Sequence, residues 1–147
     1  MFPKRNLENR AGENSLFIDT SAWMALFSRR DQYHEDADRT FRKAVESKRR
    51  LFTTNLVLAE THRLVLQRVG IRAAATALAK IEASPLVRIE FAGAAHHQSA
   101  KNWIEKLKDH PISYTDAISF AVMEAAGCTD AMTFDHHFRL AGFASSL

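Results

Sequence analysis

An α/β fold built on a parallel sheet is the class this sequence predicts, and three observations lead there. Short apolar runs with strand character recur at Leu16 to Ile18, Leu51 to Thr53, Leu86 to Phe91 and Ala131 to Phe134. Longer stretches with helical spacing separate them, and strands alternating with helices are the pattern of βα crossover units. The chain has 147 residues, 46% of them hydrophobic, enough to bury a sizeable core in one domain.

Taken in order, Leu16-Phe17-Ile18 forms the first strand, and the chain turns at Asp19 into a helix carrying Trp23. "HEDADRTFRKAVESKRR" spaces Ala37, Phe41, Ala44 and Val45 at three and four, a narrow apolar stripe on a charged helix. "NLVLAETHRLVLQRVG" is a further helix, with Asn55 as its cap and Gly70 as its stop. "IRAAATALAKIEAS" ends before Pro85, and "GAAHHQSAKNWIEKLKD" before Pro111. "SYTDAISFAVMEAAG" opens on Ser/Thr capping chemistry and stops at Gly127. No internal repeat, low-complexity tract or linker divides the chain. Residues 1–14, polar with Gly and Asn, read as a flexible arm carrying Lys4, Arg5 and Arg10, and 15–147 as a single domain.

Composition removes several classes. The lone Cys128 excludes an internal disulfide, and no Cys/His cluster offers a structural zinc site, which fits a reducing, cytoplasmic location. The N-terminus lacks an apolar leader core, and no run reaches the ~18 apolar residues of a membrane span. Net charge is +3 with a pI near 9.2, by itself a weak pointer to an anionic partner. Its distribution says more: residues 1–50 hold 11 basic and 8 acidic groups, 51–100 hold 5 and 3, and 101–147 hold 4 and 6.

Four acids stand at telling places. Asp19 follows Leu16-Phe17-Ile18, and Asp135 follows Met132-Thr133-Phe134, so both sit at carboxyl ends of strands, where open α/β sheets bind ligands. Projected at about 100° per residue, the helix after Asn55 sets Leu58, Val65, Leu66 and Val69 on its core face. Glu60 falls instead on a polar arc with Arg63 and Gln67. Asp116 lies in the first turn of "SYTDAISF", which lifts its side chain toward the strand-end edge. Singly, each has a structural explanation: Asp19 as a helix cap, Glu60 as half of a solvated pair with Arg63, Asp116 as a favourable dipole charge, Asp135 as a turn residue. Jointly, those explanations require four coincidences.

Two carboxylates ~4 Å apart repel by about 4 kcal/mol at an effective dielectric near 20, so such a cluster needs protons or cations. An all-oxygen, carboxylate-rich site suits Mg²⁺ or Mn²⁺, ions that activate water and offset charge developing on a phosphoryl group. With these four acids set aside, the remaining 13 face 20 basic side chains, a balance suited to nucleic acid around a metal site.

These residues resemble the PIN-domain ribonucleases, and within them the VapC-type toxins of bacterial toxin–antitoxin pairs. "FIDTSAW", "DQYHEDA", "LVLAETHRLV", "YTDAISFAVM" and "TFDHHF" follow the family's order and spacing, from about Leu16 to Phe143. The family's acidic quartet maps onto Asp19, Glu60, Asp116 and Asp135. Thr20 or Ser21, and Thr115, match hydroxyl positions that orient a carboxylate or a water. The resemblance implies an α/β/α sandwich around a parallel sheet of four or five strands. It also implies a Mg²⁺- or Mn²⁺-dependent endoribonuclease that is a homodimer held inactive by a small antitoxin, with tRNA, rRNA or mRNA as substrate.

In-line hydrolysis at such a site leaves a 5′-phosphate and a 3′-hydroxyl, with Asp19, Asp116 and Glu60 holding the main ion and Asp135 completing it or a second site. Among the basic side chains Arg29, Arg30, Arg42, Lys43, Lys48, Arg49 and Arg50, the pair Arg49 and Arg50 is chosen for phosphate contacts, by charge. Trp23 and Trp103 read as core or interface packing rather than base-stacking platforms. His136 and His137, in a turn with side chains pointing apart, read as structural. The rival readings are a PIN-type processing nuclease without antitoxin and an inactive RNA-binding module. A receiver-like Mg²⁺ domain is opposed by the lack of an acidic pair near Asp19, and an Asp-x-Asp phosphatase by Thr20 and Ser21.

Overall fold

The computed structural model describes residues 14–147, so Lys4, Arg5 and Arg10 lie outside the described residues. Asn14, assigned to the arm from sequence, already belongs to the fold: its carbonyl accepts the Arg50 amide at 3.0 Å.

Five strands, β1 (Ser15–Ile18), β2 (Arg50–Thr54), β3 (Val87–Glu90), β4 (Asp130–Met132) and β5 (Ala144–Ser145), form one sheet in the order β3-β2-β1-β4-β5. All neighbours are parallel, with Leu16 opposite Leu51, Leu51 opposite Val87, and Ile18 opposite Met132. The two-residue β5 has no apolar run to announce it and escapes a reading by hydrophobicity. β4 is shorter than its apolar run: the chain leaves the ladder at Thr133, whose carbonyl accepts the Ser145 hydroxyl at 2.9 Å.

Between the strands run α1 (Thr20–Phe27), α2 (His34–Glu46), α3 (Asn55–Arg68), α4 (Ile71–Ala83), α5 (Ala94–Lys106), α6 (Tyr114–Ala126) and the short α7 (His137–Leu140). Right-handed crossovers place α1 to α4 on one face of the sheet and α5 and α6 on the other. The helices pack accordingly, α1 on α2 and α3, α3 on α4, and α5 on α6. The result is a three-layer α/β/α sandwich. Its centre is Leu16, Phe17 and Ile18 of β1, fully buried with Phe120 and Phe138.

Two expectations for α3 are corrected. Its cap is Thr54, whose Oγ1 accepts the Val57 amide at 3.1 Å. Asn55 is used otherwise: its Oδ1 accepts the Ala92 amide at 3.0 Å, tying the ends of β2 and β3 together. The buried face of α3 is Val57, Leu58, Thr61 and Val65, while Leu66 is 40% and Val69 69% exposed. The helix packs against both α1 and α4, and these neighbours select a different stripe from the one an isolated projection favours. Other expectations hold. Ala37 and Ala44 of α2 are buried with Phe41 and Val45 packed against the core, and both tryptophans lie in the core. Gly127 ends α6 in the left-handed region at φ 66°. Among the described residues no helix is long and apolar enough to cross a membrane.

Candidate functional site

Strand order reverses direction between β1 and β4, the chain leaving β1 toward β2 while β4 takes the other side. Crevices form at the carboxyl ends of strands at such a switch. Asp19 ends β1 there, its amide donating to Met132 O at 3.1 Å. Asp135 sits three residues beyond β4. Glu60 enters from α3 and Asp116 from the first turn of α6. All four line one cavity of about 280 Å³.

Asp19 is 4% exposed. It occupies the cap position of α1, yet its side chain caps nothing. Its Oδ2 instead accepts the Ser21 hydroxyl at 3.0 Å and the Thr133 hydroxyl at 2.9 Å. Its pKa is pushed up to about 6, chiefly by burial against the opposing bond from Thr133, with the Asp116 carboxylate contributing to the rise. Asp116 is held by a reciprocal cap: its amide donates to Ser113 Oγ at 3.0 Å and its Oδ2 accepts the Ser113 amide at 3.2 Å. Its pKa is raised too, chiefly by burial, with the charges of Asp135 and Glu60 adding to it. Asp116 thus feels Asp135 and Glu60 and in turn acts on Asp19, the electrostatic mark of a shared crevice.

Thr20 and Ser21 also line the cavity, and the buried Thr20 Oγ1 has no partner among the described residues. Thr115 does not line it; the structure gives its carbonyl to the Ser119 hydroxyl at 2.9 Å. Arg49 and Arg50 are elsewhere altogether, at the amino ends of the strands. Arg49 bonds Asp130 Oδ2 at 2.9 Å and Ser15 O at 2.8 Å. With Arg50 it lines a larger cavity of about 680 Å³ that contains none of the four acids. Charge alone could not tell which edge of the sheet these arginines occupy.

His136 and His137 do not point apart. Their rings lie side by side, tilted by 34° with centroids 4.2 Å apart, because the chain is already turning into α7. His137 Nδ1 lies 2.8 Å from Asp135 Oδ1, which also accepts the His137 amide at 2.9 Å. Imidazole and backbone together fix that carboxylate.

Sequence reasoning missed Thr133, Asp31, Tyr33 and Arg68. Thr133 was recognisable as a hydroxyl two residues before a strand-end acid, but an apolar run conceals it. Asp31, Tyr33, Phe134 and Arg68, with Met24 and Leu64, complete the cavity lining. Apart from the Met24 thioether, the donors gathered there are oxygen, with neighbouring carboxylates raising the pKa of Asp19 and Asp116 and a buried Thr20 hydroxyl unpartnered among the described residues. That set fits Mg²⁺ or Mn²⁺ and opposes a thiolate-loving ion.

A family model described as PIN domain matches residues 16–144. Two proteins from Mycobacterium tuberculosis strains CDC 1551 and H37Rv, each named 23S rRNA-specific endonuclease VapC20, are 38% identical over 128 residues. The match covers 87% of this chain and 95% of each of theirs. A crystal structure of Mycobacterium tuberculosis VapC20, described as a sarcin–ricin loop cleaving toxin, is similar at a TM-score of 0.80 and 39% identity. It covers 88% of this chain and 97% of that one.

Proposed function

The chain belongs to the PIN-domain family as an endoribonuclease of the VapC type, and from that premise we propose a divalent-metal-dependent hydrolase of ribosomal RNA. One observation carries the reading: carboxylates from β1, α3, α6 and the segment after β4 converge on one cavity at the strand-order switch. Asp19, Glu60, Asp116 and Asp135 would hold Mg²⁺ or Mn²⁺, which would supply an acidified water and a counter-charge to the phosphoryl oxygens.

The protein's own groups prepare that site. Ser21 and Thr133 fix the Asp19 carboxylate through two hydroxyl bonds, and the Ser113 amide fixes Asp116. His137 restrains Asp135. With these rotamers set before substrate arrives, little reorganisation is needed during the reaction. Water adds to phosphorus in line, the bond to the 3′ oxygen breaks, and that oxygen takes a proton. A 5′-phosphate and a 3′-hydroxyl remain, so a 2′,3′-cyclic phosphate product contradicts the mechanism.

Among substrates we favour 23S rRNA, supported by the names of the similar mycobacterial proteins. A cytoplasmic location, a homodimer and a small antitoxin complete the reading, and they rest on the family resemblance. The test incubates purified protein with 23S rRNA and with tRNA in Mg²⁺, Mn²⁺ or EDTA, alongside Asp116→Asn. Metal-dependent cutting of the ribosomal RNA, lost in the variant, is expected. Cleavage that survives both EDTA and the substitution defeats the assignment, and cutting of tRNA alone moves the substrate.

A further inference from the structure

Tyr33 and Phe134 meet at the rim of the acid-lined cavity. Their rings lie 4.4 Å apart at an interplanar angle of 23°, and both line the cavity. Phe134 covers one face of the tyrosine, yet Tyr33 remains 43% exposed. Both residues are anchored through the backbone. Asp31 Oδ1 accepts the Tyr33 amide at 2.8 Å, and Ser21 Oγ accepts the Phe134 amide at 2.9 Å. That same Ser21 hydroxyl donates to Asp19 Oδ2. The aromatic pair is thereby registered against a carboxylate of the proposed metal site.

Arg68, at the end of α3, lines the same cavity and carries the only positive charge in its described lining. Among the described residues it makes no ion pair with the surrounding acids. Among the described residues the other exposed Phe and Tyr rings, Phe91 and Tyr114, do not line this cavity, and Tyr114 is bonded to His97 Nδ1 at 2.8 Å. Both tryptophans are buried.

Resting on the RNA-cleaving reading above, we infer that Tyr33, backed by Phe134, is the stacking platform for an unpaired base beside the scissile bond, with Arg68 against a flanking phosphate. Single-stranded RNA offers splayed bases to aromatic faces and phosphates to guanidinium groups. A rigid ring with one face already covered captures a base at small entropic cost. Tyr33 and Arg68 are positioning residues here; neither meets the reacting atoms.

The test maps the wild-type cut in 23S rRNA, then measures binding of a stem-loop spanning it to Asp116→Asn protein, which leaves the RNA whole. Tyr33→Leu keeps apolar packing on Phe134 and removes the ring; Tyr33→Phe keeps the ring. The leucine variant is expected to bind roughly five- to a hundredfold more weakly, the range for one stacked base, with unchanged thermal stability and the phenylalanine variant close to the parent. An abasic nucleotide at the stacked position abolishes the difference between tyrosine and leucine. Arg68→Gln lowers affinity and flattens its salt dependence by about one phosphate contact. If wild type cuts the RNA but Tyr33→Leu binds it like the parent, or no abasic position removes the difference, the platform is overturned and the nuclease stands. Wild-type protein that neither cuts nor binds RNA defeats the nuclease reading itself.

Discussion

The hydroxyl of Thr133 joins the two strand-end acids, donating to Asp19 Oδ2 at 2.9 Å and accepting the Asp135 amide at 3.0 Å. One oxygen sets the ends of β1 and β4 relative to each other across the strand-order switch, and it opposes the upward push on the Asp19 pKa.

Thr133→Val keeps the shape and removes that oxygen. Asp19 loses a donor, so its pKa moves further up and the acidic limb of the pH–rate profile moves to higher pH. The part-buried Asp135 amide loses its acceptor, at about 1 kcal/mol, the low end for a polar group left unsatisfied. Thr133→Ser restores both bonds. Rate profiles and urea midpoints for the three proteins decide it; a valine variant with the wild-type acidic limb removes the hydroxyl from this role.

Asp19 makes the metal-free protein weaker as pH rises. Its folded pKa of about 6 stands above the ordinary aspartate value of 3.8, so the folded chain holds this proton more tightly. Stability from this group is full below about pH 4, falls between about 4 and 6, and is level above. A shift of this size corresponds to on the order of 2–3 kcal/mol. Asp19→Asn should therefore raise the urea midpoint of EDTA-treated protein at pH 7.5, have little effect near pH 4, and abolish cleavage. Loss of stability at pH 7.5 contradicts the strain account.

If the four carboxylates hold the ion as proposed, divalent cations compete with protons for them. Saturating Mn²⁺ should raise the Tm by several degrees at pH 7.5 and by much less at pH 5. Asp116→Asn should remove most of the increment. Equal increments at both pH values, or an increment indifferent to the substitution, would place the ion elsewhere.

Arg49 is a structural cation. Its bonds to Asp130 and Ser15 hold the amino ends of β1 and β4 together, with its side chain 21% exposed. Arg49→Met should cost about 1–3 kcal/mol, as for hydrogen bonds to charged groups, and leave the salt dependence of RNA cleavage unchanged. A flatter salt slope at wild-type stability returns Arg49 to the RNA-contacting set.

Ser113 serves α6 and Asp116 together. Ser113→Ala removes the acceptor for the Asp116 amide, at about 1 kcal/mol for a lost helix cap. The first turn of α6 that presents Asp116 then loosens, so cleavage should fall more than the stability change explains. Calorimetry alongside single-turnover rates separates the two; a stability loss with wild-type rate leaves the cap purely structural.

By itself the sequence determined the α/β class and the helix boundaries set by Pro85, Ser113 and Gly127, though α5 ends at Lys106, short of the boundary read from Pro111. It also singled out the four acids that line one cavity. These are local facts: a strand end, a cap or a polar arc is written in a few adjacent residues. The tertiary structure alone decided which stripe of α3 is buried, because the neighbours α1 and α4 choose it. It placed Arg49 and Arg50 at the amino edge of the sheet, where charge composition cannot distinguish one edge from the other. It brought Tyr33 to Phe134 and Thr133 to Asp19 across about a hundred residues of chain, pairings that no periodicity encodes. Strand order makes them neighbours, since parallel pairing of β1 with β4 sets their carboxyl ends side by side.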